Sequence, residues 1–182
     1  YIHDFNARDM KIYYLNAKDS TVSFKFAYSK KLANPLVDNL GTGYFTICRL
    51  KNGHYVGLSG LCHSDIFHVL DSDLNIVKRF GGFPLDGLTT DGSTTNMTLS
   101  FMGNLVNHGN SIYYAANKFG YIARYDITDD LEIKLVWENF YSKTDYRIDN
   151  RQVKFGSDNL HGFSGIAVGK DYIFTTFSGI TI

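Results

Sequence analysis

The stretch YFTICRLKNGHYVGLS (residues 44–59) reads as an apolar strand, an Asn-Gly turn and a second strand rich in aromatic and β-branched residues. The pattern returns as FMGNLVNHGNSIYYAA (residues 101–116) and as FSGIAVGKDYIFTTF (residues 163–177). Tyr55-Val56, Tyr113-Tyr114 and Tyr172-Ile173 stand 58 and 59 residues apart, a period too regular for independent hairpins. The downstream halves repeat as well. IFHVLDSDLNIVKRF (residues 66–80) resembles IARYDITDDLEIKLVW (residues 122–137), each a strand, an Asp-rich turn and a strand, and IYYLNAKDSTVSFKF (residues 12–26) is a looser copy. The repeating unit is a four-stranded antiparallel meander, with strands A to D in chain order.

Tandem four-stranded meanders with aromatic strands predict an all-β fold built of β-propeller blades. A sandwich would match the strand count, but its Greek-key order lacks this tandem similarity. The period exceeds the roughly 40–45 residues of compact propeller repeats, so each unit carries a long insertion between strand D and the next strand A. The insertions fall at about residues 83–98 and 141–162, and loops of that length are commonly functional. Residues 1–182 form one domain on this reading, with a C-D half-blade at 10–27, blades at 44–82 and 100–140, and an A-B half-blade at 163–182. About three blade equivalents lead to the expectation of either a portion of a six-bladed ring or two copies that complete one.

Composition narrows the partners. Eighteen Lys and Arg balance 18 Asp and Glu, and this zero net charge leaves no basic footprint for nucleic acid. No apolar run approaches the roughly 20 residues that span a bilayer, so no transmembrane segment is expected, and the opening Tyr1-Ile2-His3-Asp4 lacks the apolar core of a targeting segment. Thirteen Tyr and 14 Phe with 17 Gly suit half-buried strands joined by tight turns. Cys48 and Cys62 are too few for a structural zinc site. A two-residue Asn52-Gly53 turn pairs Cys48 with Gly57 and puts Cys62 on the opposite face, which predicts two thiols and no disulfide.

Tyr172-Ile-Phe-Thr-Thr-Phe-Ser-Gly179 resembles a strand-B signature of the TolB-like six-bladed β-propeller proteins of Bacteroides-type bacteria. LDSDLNIVKRFGGFP (residues 70–84) resembles that family's C-D passage, and GIAVGKDYIF (residues 165–174) is similar to the NHL-type repeat. The resemblance covers about residues 44–84, 100–140 and 163–182. It implies a six-bladed fold and an exported, extracytoplasmic protein, and it implies no activity.

In such a meander the A-B and C-D turns share one rim, while the B-C and D-A connections share the other. The second rim gathers the candidate ligand-binding residues His63, Asp65, Asn117, Lys118, Asp158, Asn159 and His161, together with Asp86, Asp91, Asp145, Arg147, Asp149 and Arg151. His63-x-Asp65 could pair an imidazole with an orienting carboxylate, against the plainer alternative that Asp65 accepts backbone N–H groups of its turn. Asp158-Asn159-x-His161 leads into an innermost strand, where a ligand on the axis would be met, or else ties a loop end to the backbone. Phe83, Phe140, Tyr141, Tyr146 and Phe155 could form a platform for a sugar or peptide, although most aromatics in blades serve packing. The expected function is a non-catalytic binding module without a cofactor, recognising a small molecule, glycan or protein on this rim. The alternative is a metal-assisted hydrolase of the six-bladed lactonase type. Asp158, Asn159 and Asn117 would then hold a divalent cation, in a carboxylate-poor set whose chain has only Glu132 and Glu138 as glutamates.

Overall fold

The computed structural model describes residues 2–4, 9–18, 21–31, 44–59, 65–87, 100–149 and 152–181, and the fifteen regular elements among them are all β-strands. Strands β1 (Ile2–Asp4), β2 (Asp9–Lys18) and β3 (Thr21–Lys31) form a three-stranded antiparallel sheet. Its hairpin pairs Asp9 with Lys31, so it runs beyond the expected 10–27 and gains β1 on one edge. Strands β4 (Tyr44–Arg49), β5 (Tyr55–Ser59), β6 (Phe67–Leu70) and β7 (Ile76–Phe80) make one four-stranded antiparallel sheet in sequence order. Strands β8 (Gly103–His108), β9 (Ser111–Ala116), β10 (Tyr121–Ile127) and β11 (Ile133–Phe140) make a second of the same kind. Two hairpins follow, β12 (Tyr146–Asp149) with β13 (Gln152–Phe155) and β14 (Phe163–Val168) with β15 (Ile173–Phe177).

The two four-stranded units agree down to their C-D turns. In the first, Leu74 N–H donates to the Asp71 carbonyl at 3.0 Å and Asp71 N–H to the Asn75 carbonyl at 3.0 Å. In the second, Leu131 N–H donates to Thr128 at 3.0 Å and Thr128 N–H to Glu132 at 2.9 Å. Leu74 and Leu131 both take positive φ, 69° and 62°, a conformation that disfavours a side chain. Both leucines offset that cost by burial, Leu74 with Tyr44, Tyr55 and Leu70, and Leu131 against the main core. At Asp71 the carboxylate also accepts from the Asp73 and Asn75 backbones at 2.8 and 2.9 Å, and its bonds to Asn75 hold its pKa below the ordinary carboxylate value.

The first A-B turn corrects one expectation. Leu50 and His54 close a three-residue loop, with Leu50 N–H donating to His54 O at 2.8 Å and Gly53 at φ 92°. One extra turn residue shifts the register, so Cys48 pairs with Val56, and Gly57 pairs with Ile47. The predicted Cys48–Gly57 pair is therefore wrong, and with it goes the parity argument that set Cys48 and Cys62 on opposite faces. Cys62 lies outside the described residues. Cys48 is a free thiol packed against the core, where burial pushes its pKa up to about 12.

The second insertion also differs from a plain loop, because β12 and β13 pair within it, Tyr146 with Phe155 and Ile148 with Val153. Alternate apolar residues in the two strands explain it.

The two four-stranded sheets share one core. Val56, Leu58, Phe67 and Val69 of the first meet Leu105, Ile112, Tyr114, Tyr121 and Tyr125 of the second. Phe67 contacts Tyr114 and Tyr125 edge-on at 5.2 and 5.6 Å. The other face of the second sheet packs Ala115 and Ile122 against Phe163, Ile166 and Ile173 of the last hairpin. Strand β9 is thus buried on both sides, which explains its unbroken Ile112-Tyr-Tyr-Ala-Ala116 run. The A strands β4, β8 and β14 lie in succession, β4 beside β8 and β8 beside β14.

Candidate functional site

Strand β9 ends at Ala116, and the chain bends through residues 117–120 before β10. Backbone hydrogen bonds lock this B-C bend to the start of the last hairpin. Asn117 N–H donates to Met102 O at 2.9 Å, and Asn117 O accepts from Gly162 N–H at 2.9 Å. Ser178 N–H then donates to Gly162 O at 2.8 Å, while His161 N–H donates to Ile180 O at 2.8 Å. A Cβ at Gly162 would collide with the carbonyl oxygens of Phe119 and Ala116, so only glycine allows these backbones to meet.

Above this junction lies a cleft of about 330 Å³, lined by Met102, Asn117, Lys118, His161, Phe163 and Ser178 among others. Three of the residues expected from the sequence, Asn117, Lys118 and His161, are brought together here. Asn117 Oδ1 accepts from Asn104 Nδ2 at 3.1 Å, and the same Nδ2 donates to Phe163 O at 3.2 Å, fixing the amide at the cleft wall. Asn159 sits beneath the cleft, 1% exposed, with its Nδ2 donating to Lys118 O at 2.7 Å and Leu160 O at 3.3 Å. It ties the loop end to the B-C bend and offers a ligand no free amide nitrogen. Asp158 is exposed in the neighbouring turn and does not line the cleft. Asp65 begins β6's approach in the first sheet, half-buried and away from this cleft, and His63 lies outside the described residues.

The cation set of the hydrolase alternative is not gathered in this cleft. Asn117 lines it, with its Oδ1 already accepting from Asn104, whereas Asn159 is buried with its Nδ2 bonded to backbone carbonyls and Asp158 lies outside. Among the described residues no group of three or more His, Cys, Asp or Glu gathers to hold a metal ion, and no helix is long and apolar enough to cross a membrane.

The aromatic candidates divide. Phe155 stacks on Phe119 at 5.9 Å and packs against the main core, whereas Tyr141 touches Phe163 edge-on at 5.4 Å and stays exposed, lining neither cleft. Phe83, Phe140 and Tyr146 instead line a second, larger cleft of about 590 Å³. Met102 and Ser178 are cleft residues that no motif announces. They reach the site only through the backbone bonds to Asn117 and Gly162.

No protein-family profile matches the chain, and neither a curated protein nor a solved structure matches it significantly. The site's chemistry therefore rests on its own geometry.

Proposed function

We propose that the chain builds blades of a six-bladed β-propeller of the TolB-like type and acts as a non-catalytic binding module. The partner, a small molecule, glycan or protein, is recognised on the rim that carries the B-C and D-A connections. The tandem four-stranded units and the succession of β4, β8 and β14 support the propeller reading. One observation carries the binding reading: Asn117, Lys118 and His161 surround a single opening on backbones pinned to one another by hydrogen bonds. Such pre-organisation keeps the ordering cost of binding low. An extracytoplasmic location belongs to the same proposal and rests on the sequence resemblance alone.

The test is a ligand-observed NMR screen of a small-fragment library against the chain and its Lys118→Ala and His161→Ala variants. Fragments that bind the chain and lose about tenfold or more in affinity for both variants support the reading. A full set of hits indifferent to both substitutions would overturn it.

A further inference from the structure

The larger cleft has a chemistry of its own. The connection after β7 (residues 81–87) and the one after β11 (residues 141–145) face each other across the ends of β10 and β11, enclosing about 590 Å³. That volume falls within the range of small-molecule sites. Its floor is a chain of polar groups held in place. Tyr121 Oη donates to Glu138 Oε2 at 2.7 Å, and the Tyr125 hydroxyl is hydrogen-bonded to that of Tyr121. Both tyrosines are buried, and burial foremost raises their pKa values, so they stay neutral and keep their protons. Glu138 itself is exposed, with its carboxylate oriented from one side by the Tyr121 hydroxyl.

The walls are aromatic and braced. Phe83 stacks on Phe101 with centroids 5.0 Å apart, Phe140 lies against Tyr121 at 4.8 Å, and Tyr146 is fixed by donating its hydroxyl to Asp86 O at 3.0 Å. Phe140 remains 42% exposed. Thr144 also lines the cleft, and its hydroxyl oxygen is enclosed without a hydrogen-bond partner, a costly state that a reoriented hydroxyl meeting a ligand would relieve.

The charge balance selects among ligands. Lys143 stands against Glu138 and Asp86 in the lining, so neither a strong anion nor a strong cation meets a uniform field. Braced ring faces beside mixed donors and acceptors suit a molecule with apolar C–H faces and many hydroxyls. We propose that this cleft is a saccharide-binding site, taking a neutral di- or trisaccharide stacked on Phe140 and Phe83 with hydroxyls donating to Glu138 and accepting from Lys143. The site is distinct from the one at Asn117, Lys118 and His161 and does not depend on it.

The experiment is saturation-transfer NMR, followed by titration calorimetry, with maltotriose, cellotriose and N,N′-diacetylchitobiose as probes and choline as a cationic control. Expected is binding of at least one saccharide with Kd at or below about 1 mM. Glu138→Gln, which keeps the side-chain volume, and Phe140→Ala should each weaken it about tenfold or more, with thermal melts confirming that both variants are folded. Lys118→Ala and His161→Ala should bind the saccharide as the parent does, which separates this proposal from that for the other cleft. No saturation transfer from any saccharide at about 10 mM, binding unchanged in both Glu138→Gln and Phe140→Ala, or binding of choline alone would overturn it.

Discussion

Hairpin β8–β9 and hairpin β14–β15 begin alike, with Phe101-Met102-Gly103 and Phe163-Ser164-Gly165, and in both the phenylalanine is buried. Beyond that start they part. Five of the six residues of β9 are buried, whereas in β15 none is buried and only Ile173 is even half-buried. Their aromatic and β-branched content is similar, so intrinsic strand preference does not separate them. What differs is cover. The first sheet packs on one face of β9, the last hairpin on the other, and β10 pairs along its edge. Among the described residues β15 is paired with β14 alone. A strand B of this repeat becomes core through its neighbours, and the same side chains remain surface without them.

Truncation of the matched aromatics gives the largest contrast. Counting from the partner of each glycine, Tyr114 corresponds to Phe174, one 0% and the other 63% exposed. Tyr114→Ala should cost about 3–5 kcal/mol, since it opens a cavity at the shared core and frees the Phe101 carbonyl that Tyr114 Oη holds at 2.7 Å. Phe174→Ala should stay within about 0.5 kcal/mol. Urea denaturation of the two variants measures both. A Phe174→Ala loss approaching that of Tyr114→Ala would mean that β15 is covered in solution, and the contrast would collapse.

The glycines carry the next effect, and here the sign should reverse. A Cβ on Gly103 would stand 2.5 Å from both the Ala115 carbonyl oxygen and the Tyr114 ring, whereas a Cβ on Gly165 would meet only Thr176 Oγ1 at 4.0 Å. Gly103→Ala should destabilise by about 1–3 kcal/mol through overpacking. Gly165→Ala should stabilise by about 0.4–1 kcal/mol, because it removes freedom from the unfolded chain without strain. Thermal melts of the pair decide it, and two losses of equal size would show that the last hairpin is as tightly packed as the inner one.

These glycines also show what a sequence can and cannot reveal. The meander was legible because strand alternation and Gly, Asn and Asp turns are local signals, and they located β4–β11 and β14–β15. Register was not legible at Cys48, because Lys51-Asn52-Gly53 can close a hairpin with two or three residues and only the backbone decides. The β12–β13 pair was hidden because the sequence between its strands contains no glycine or proline to mark a bend. At the candidate site, Asn117, Lys118 and His161 could be grouped from the loop order of a meander. Asn159 could not be recognised as a structural amide, since its partner Lys118 O lies 41 residues away. Met102 and Ser178 are joined to the cleft by main-chain bonds, which leave no trace in residue identity.

The smallest of the three effects concerns the cover itself. Strand β10 is fastened to β9 by Asp126, whose Oδ1 accepts from Ser111 Oγ at 2.6 Å and from Arg124 Nε at 2.9 Å. Partial burial raises the Asp126 pKa, but the Ser111 and Arg124 bonds outweigh it and hold the carboxyl below its ordinary value. A pKa lower in the folded than in the unfolded chain stabilises the fold fully above the unfolded value, near pH 4, and the contribution disappears as pH falls through the folded value. Asp126→Asn should therefore cost about 1 kcal/mol or less at neutral pH, a discounted figure because the carboxylate is partly in water. Between neutral pH and acid the gap to the parent should narrow, as pH falls below the unfolded value and toward the lower folded one. Among the described residues hairpin β14–β15 is hydrogen-bonded to no third strand, and Ser164 carries no charge, so Ser164→Ala, which removes the 3.3 Å bond to Thr176 O on its exposed face, should show no such pH dependence. Urea midpoints for both variants at the two pH values make the comparison. If the Asp126→Asn deficit persists undiminished in acid, the charge of Asp126 is not what seals strand C onto strand B, and the protection of β9 must come from apolar packing alone.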